Sequence, residues 1–112
     1  MPNSAPYQAI ADPNRRKILD LLRDKGPLRA GEIANQLAHI SQPAVSKHLR
    51  ILREAKLVRA VADGRERAYH LNPETLRQMA EWLLYYEPLW DNRLALLQQL
   101  VEQGSEAQGG QD

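Results

Sequence analysis

Gln42, Ser46, Lys47, Arg50 and Arg53 share one side of the stretch 41–55 if Val45, Leu49 and Leu52, spaced i, i+4 and i+7, face inward. That side offers an amide, a hydroxyl, an ammonium and two guanidiniums, the groups that hydrogen-bond base edges and phosphates. A major groove ~12 Å wide admits one helix. In it Gln42 can pair bidentately with adenine, and Arg50 or Lys47 with guanine or a phosphate. A solvated helix face also favours Lys and Arg, but it normally mixes both signs. Here, from Ser41 to Val61, the one acid is Glu54, beside Lys47, Arg50, Arg53, Lys56 and Arg59.

Further basic groups flank this stretch. Asp63-Gly64-Arg65-Glu66-Arg67 reads as a turn in which Gly64 supplies a positive φ, so that Arg65 and Arg67 project from a hairpin tip. They can reach a flanking DNA backbone or minor groove, or keep an exposed strand edge from pairing with another chain. Arg15, Arg16 and Lys17 fit either phosphate contacts or a soluble helix surface. His39, His48 and His70 fall in a turn, a helix and a strand, with no metal-ligand spacing on any one element. His48 suits packing, or a bond to a phosphate.

The elements that must position these groups follow from capping residues and period. Tyr7, Ile10 and Ala11 suggest a short leading helix. Asp12-Pro13 opens a second, with Ile18, Leu19, Leu21 and Leu22 as its stripe and Gly26-Pro27 as its end. Pro27-Leu28-Arg29 reads as an extended connection. Ile33, Ala34, Leu37 and Ala38 mark a third helix, and Ser41-Gln42-Pro43 starts the fourth with a capping hydroxyl. With so few residues between them, the third and fourth helices must cross steeply, as in a helix-turn-helix. After Leu57 the period becomes two, through Val58 to Asp63 and again through Arg67 to Leu71, predicting a β-hairpin that must pack on the helices. Asn72-Pro73 then starts a last helical segment to about Gln103, and Gly104–Asp112 reads as a disordered tail. The reading is mainly α with a small β-hairpin: one winged helix-turn-helix domain over 1–103 with a long C-terminal dimerisation helix, and a tail over 104–112.

Composition sets the outer bounds. A chain of 112 residues has room for one core, and 43% hydrophobic with 26% charged residues is ordinary for a globular protein. The absence of cysteine excludes disulfides, thiol nucleophiles and thiolate metal sites. Apolar runs are too short to cross a membrane, and no secretory signal opens the chain, so a cytoplasmic location is expected. The net charge of +1 conceals a division: residues 1–80 hold fourteen Lys/Arg against eight Asp/Glu, whereas residues 81–112 hold Arg93 alone against six acids. An anionic partner is therefore expected for the first part only. No nucleophile–base–orienter set and no Gly-rich phosphate loop is visible, so no catalytic residue is assigned and an enzyme is not expected.

Three segments in order, Ala9-Ile10-Ala11-Asp12-Pro13-Asn14-Arg15-Arg16-Lys17-Ile18-Leu19, Ser41-Gln42-Pro43-Ala44-Val45-Ser46-Lys47-His48-Leu49 and Leu52-Arg53-Glu54-Ala55-Lys56-Leu57-Val58, closely resemble the ArsR family of bacterial winged-helix repressors. The resemblance spans roughly residues 5 to 101. It implies DNA contact through Ser41, Gln42, Pro43, Ser46, Lys47, His48, Arg50, Arg53, Arg65 and Arg67. Many members sense metals, through a thiolate pair in the third helix or Asp and His pairs on the last one. This chain has no cysteine in Gly31–Gln36 and no histidine from Asn72 onward. It is therefore similar to the metal-independent branch, which often represses its own operon and neighbouring genes; no metal or other cofactor is expected. Two features depart from the pattern. Leu37-Ala38-His39-Ile40-Ser41 makes the helix-to-helix turn one residue longer, and Glu87-Pro88 interrupts the last helix, predicting a bend or restart near Tyr86–Pro88.

In that last segment Leu76, Met79, Leu83, Tyr86, Trp90, Leu94, Leu97 and Val101 repeat every three or four residues, and Trp82, Leu89 and Leu100 widen the apolar surface. One small domain covers one face of such a helix, so the excess implies a partner. The resemblance implies a two-fold homodimer built by this helix and the first one, which adds Tyr7 and Ile10. Two recognition helices would then lie about one DNA turn apart, ~34–36 Å, on a pseudo-palindromic operator. The expected function is a sequence-specific transcriptional repressor acting by operator occupancy; the alternative is a winged-helix protein-interaction module without DNA binding. A small apolar inducer is a further expected partner, near Trp82, Tyr85, Tyr86 and Trp90.

Overall fold

The computed structural model describes residues 3–89 and 97–103. They divide into two compact units, up to Met79 and from Ala80 onward. The first contains α1 (Ala5–Ala9), α2 (Pro13–Lys25), β1 (Leu28–Arg29), α3 (Ala30–Gln36), α4 (Gln42–Glu54), β2 (Val58–Asp63), β3 (Glu66–Leu71) and the start of α5 (Pro73–Leu84).

Local chemistry sets most of these boundaries. The Asp12 carboxylate accepts the N–H groups of Asn14 at 2.7 Å and Arg15 at 3.3 Å, two of the donors that a helix start leaves unsatisfied. Gly26 ends α2 with φ 79° while its N–H donates to the Leu22 carbonyl at 3.0 Å. The Ser41 hydroxyl accepts the Ala44 N–H at 3.2 Å and starts α4. At the other end of α4, Lys56 takes φ 62°, a conformation usually left to glycine, and the Leu57 N–H reaches back to the Leu52 carbonyl at 2.9 Å. The Lys56 carbonyl accepts from the Thr75 hydroxyl at 2.6 Å and the Asn72 amide at 2.9 Å, which ties the start of α5 to the end of α4.

β2 and β3 pair antiparallel from Val58↔Leu71 to Asp63↔Glu66, leaving Gly64-Arg65 as a two-residue loop. Gly64 has φ 65° and Arg65 does not share the positive value, the pattern of a type II′ turn. The connection expected at Pro27–Arg29 proves to be more. Leu28 pairs with Tyr69 and Arg29 with Ala68, so the hairpin is part of a three-stranded sheet in the order β1-β3-β2. A two-stranded hairpin is marginal in water, and β1 satisfies the second edge of β3.

The core joins all these elements. Ile18, Ile33, Val45, Leu49, Leu52 and Leu57 are fully buried, and Leu22, Val58 and Met79 nearly so. Each such side chain contributes about 1.5–3 kcal/mol relative to an exposed one. Met79, expected on a dimer seam, is instead packed in this core, where Pro6 and Tyr7 of α1 stand beside it. The Tyr7 hydroxyl donates to the Met79 carbonyl at 3.4 Å. Tyr7, Ile10 and Leu76, named for the same seam, are half-buried and pack against the core.

In the second unit the helix expected to run to Gln103 stops at Leu84. Tyr85 and Tyr86 form a turn in which their N–H groups bond to the carbonyls of Trp82 (3.2 Å) and Leu83 (3.0 Å), three residues back. Helix resumes over 87–89, where Pro88 needs no donor because it lies in a first turn. The helix thus breaks at Tyr85–Tyr86 and restarts at Glu87, within the stretch Tyr86–Pro88 where a bend or restart was expected. Trp82 and Tyr86 meet edge to face with ring centroids 5.3 Å apart. Residues 97–103 are helical and exposed, while Trp90 and Leu94 of the expected seam and the tail 104–112 lie outside the described residues. Among the described residues no helix is long and apolar enough to cross a membrane.

Candidate nucleic-acid interface

The outer face of α4 is built by its inner one. Burial of Val45, Leu49 and Leu52 turns Gln42, Ser46, Lys47, Arg50 and Arg53 to solvent, and all five are exposed. Pro43 is exposed in the first turn, and Ser41 is exposed with its hydroxyl engaged as the cap. The lengthened turn before α4 is closed by the Ile40 N–H donating to the Leu37 carbonyl at 3.1 Å. His39 anchors it to α2, with Nε2 3.1 Å from the Asn14 side-chain oxygen.

His48 is placed differently from its neighbours. It is half-buried, and its Nδ1 lies 3.3 Å from an Arg15 guanidinium nitrogen. Arginine only donates, so Nδ1 accepts and the ring proton belongs on Nε2. Arg15 also donates to the Ala9 carbonyl at 2.6 Å and sits 3.9 Å from Asp12. Arg16 donates to the carbonyls of Ile10 (2.7 Å) and Ala11 (3.2 Å). These two arginines, for which phosphate contact and a soluble helix surface were both open, thus direct their guanidiniums to carbonyls at and just beyond the C-terminus of α1, which a helix end leaves without partners. Lys17 remains exposed. Burial pulls the Asp12 carboxyl up, but the N–H donations of Arg15 and Asn14, with the nearby charges, outweigh it and leave it below the usual range.

At the wing tip Arg65 and Arg67 are both exposed. Gln42 and Arg67 line one open groove of about 260 Å³, together with Arg29, Gly31, Glu66 and Tyr69. The start of the recognition helix and the wing thus face a common space. Arg29, which sequence spacing did not single out, stands between them. Its Nε donates to Asp63 at 3.0 Å and a terminal nitrogen lies 2.8 Å from Glu66. The hydrogen bond to Asp63, then the charges of Asp63 and Glu66, push its pKa up. No local pattern could have signalled this pair, because Arg29 and Asp63 are 34 residues apart. His70 is half-buried on β3, opposite Arg59. Among the described residues no three His, Asp or Glu side chains are placed to hold a metal ion.

The remaining candidates are apolar. Leu83, Leu84, Tyr86, Leu89, Leu97, Leu100 and Val101 are all about half exposed or more, and Tyr85 is 82% exposed. Leu83, Tyr86, Leu89, Leu97, Leu100 and Val101 are the side chains of this set that were expected to meet a second copy, and Tyr85 was expected beside a small apolar inducer.

Comparison with known proteins places this architecture. Residues 12–60 match the model of the arsR family of bacterial regulatory proteins. The chain is 41% identical over 88 residues to the transcriptional repressor SdpR of Bacillus subtilis, covering 79% of this chain and 96% of that protein. It superposes on an ArsR-like transcriptional regulator from Rhodococcus sp. RHA1 with a TM-score of 0.68 at 32% identity, covering 87% of this chain and 90% of that one. The homodimeric winged helix-turn-helix DNA-binding domain Mb0332 from Mycobacterium bovis matches with a TM-score of 0.59 at 26% identity, over 77% of this chain and 80% of that one. The matched residues 12–60 contain α2, α3 and the recognition helix α4, and with a 41% identical relative covering most of both chains, the chain belongs to the ArsR family of bacterial transcriptional regulators.

Proposed function

We propose that this protein is a homodimeric, sequence-specific DNA-binding repressor that acts by occupying its operator. The observation that carries the reading is the exposed face of α4. Gln42, Ser46, Lys47, Arg50 and Arg53 stand there together, with Arg65 and Arg67 on the wing beside them. A fully buried opposite face orients the helix, and no acid lies on it before Glu54. In this reading Gln42 pairs with a base edge and sets sequence preference, while Arg50 and Lys47 meet a guanine or a phosphate and the remaining arginines add phosphate contacts that set affinity. His48, held by Arg15 through Nδ1, has Nε2–H left as its donor for a phosphate. The similarity to a named repressor supports the direction of control.

The exposed apolar side chains of the second unit support self-association, as in the homodimeric Mb0332 domain. A two-fold dimer sets its recognition helices about one DNA turn apart, ~34–36 Å, on a pseudo-palindromic site. Blocking the polymerase in this way needs no catalysis. The reading is of a cytoplasmic, metal-independent regulator. It is supported by a chain without cysteine and with its three histidines on separate elements. A small apolar ligand beside Trp82, Tyr85 and Tyr86 is the releasing signal in this reading, supported by the exposure of Tyr85 next to the Trp82–Tyr86 ring pair.

Selection of bound fragments from genomic DNA, followed by anisotropy titrations, tests the function. The expected result is an enriched inverted repeat whose log K falls by ~0.9 per neutralised phosphate against log salt. Gln42→Ala is expected to relax base preference. Failure of the wild-type protein to retain any fragment at low ionic strength overturns the reading in favour of an interaction module.

A further inference from the structure

Asp63 and Glu66 are direct cross-strand partners at the closing end of the β2–β3 hairpin. Two carboxylates in that position repel each other. They also flank Arg65 and stand next to Arg67, the two side chains with which the wing would meet DNA. Left alone they would compete with phosphate for those arginines. One guanidinium meets both of them: Arg29 lies 3.0 Å from Asp63 and 2.8 Å from Glu66. The backbone of Arg29 is itself fixed. It pairs with Ala68 of β3, and its N–H donates to Glu32 in the first turn of α3 at 2.9 Å. A long side chain rooted in both the sheet and the helix-turn-helix therefore reaches the far end of the wing.

We propose that Arg29 is the positioning residue of the wing: by bridging Asp63 and Glu66 it fixes the turn that carries Arg65 and Arg67 and withdraws two carboxylate charges from the DNA-facing edge. This rests on the DNA-binding reading above and adds a residue that acts through others rather than on the nucleic acid. The Nε and one terminal nitrogen of Arg29 are directed at the two carboxylates. Its place in the groove shared by Gln42 and Arg67 gives it the geometry to hold the wing in register with the start of α4.

The test combines two readouts on the full chain. The first is anisotropy titration of wild type, Arg29→Gln, Arg29→Lys, Arg67→Ala and the Arg29→Gln/Arg67→Ala double variant on a fragment selected by the wild type, across salt. The second is the backbone ¹⁵N heteronuclear NOE at Gly64 and Arg65 without DNA. Arg29→Gln is expected to bind about fivefold more weakly, the scale of an exposed charge network. It is also expected to lower the NOE at both turn residues and to shrink the effect of Arg67→Ala, while Arg29→Lys recovers part of the loss. A salt slope reduced by about one in Arg29→Gln, with a full effect of Arg67→Ala remaining, would mean direct phosphate contact and overturn the proposal. Unchanged affinity and an unchanged NOE overturn it too. If wild type binds no fragment, the DNA-binding reading fails by itself, and the NOE alone decides whether Arg29 holds the wing. Should Arg29→Gln not fold, Glu66→Gln removes one bridge from the other side and is expected to lower the same NOE.

Discussion

The two units of the chain treat apolar side chains in opposite ways. Up to Met79, large aliphatic groups on the inner helix faces are covered, and what remains outside α4 is polar and cationic. From Ala80 onward, leucines, tyrosines and a valine of the described residues are exposed, and the charge balance is acidic. A chain that can bury Ile18, Ile33 and Leu49 completely has the means to hide aliphatic surface. Where it leaves such surface open, the complement is expected from another copy. The first unit thus presents cationic groups on the outer face of α4, and the described residues of the second present apolar side chains.

Removing methyl groups from each unit breaks or sharpens that contrast most strongly. Leu49→Ala is expected to cost about 2–5 kcal/mol of unfolding free energy, independent of protein concentration in chemical melts. Leu100→Ala should instead lower stability only by weakening association, so its melting temperature moves with concentration and sedimentation shows a larger monomer fraction. If Leu100→Ala destabilises equally at all concentrations, the second unit does not face a second copy.

Charge on the recognition helix comes next. Lys47→Ala is expected to weaken binding uniformly across sequences and to reduce the salt slope by about one. Gln42→Ala should leave the slope intact and flatten base preference at one position, a discrimination of about 1–3 kcal/mol. Equivalent behaviour of the two variants would erase the division between positioning and reading on α4.

Smaller effects test how the first unit is capped. Asp12→Ala removes the N-cap of α2 and is expected to cost about 1 kcal/mol. Because the Asp12 carboxyl sits below its usual range when folded, its stabilisation is present above the ordinary carboxylate pKa and is lost as pH falls through the depressed folded value. Asp12→Asn should keep much of the cap and lose that acid dependence in pH-dependent denaturation. Lys56→Gly, at φ 62°, is expected to stabilise by up to about 1 kcal/mol in the same assay. No gain would mean that the Lys56 side chain has a compensating role.

Much of the first unit was readable in residues that act over three or four positions. Asp12-Pro13 and Ser41-Gln42-Pro43 placed two helix starts because caps work locally, and Gly64 placed the wing turn because few residues adopt its φ. Val45, Leu49 and Leu52 named the inner face of α4, so Gln42, Ser46, Lys47, Arg50 and Arg53 followed as the outer one. Other readings gave way to contacts distant in sequence. Leu28-Arg29 became a strand because β3 had an edge to fill about 40 residues on, Met79 was drawn into the core beside α1, and Arg15 met His48 of α4.

By itself the sequence determined the periodic and capped elements, their order and the chemical character of each face, since hydrogen-bonding caps and side-chain period depend on neighbours along the chain. Tertiary structure alone decided which cations remain available to a phosphate and which are consumed internally. Arg15 and Arg29 have the same charge as Lys47, but their partners arrive from other elements, and no spacing in the sequence encodes that meeting.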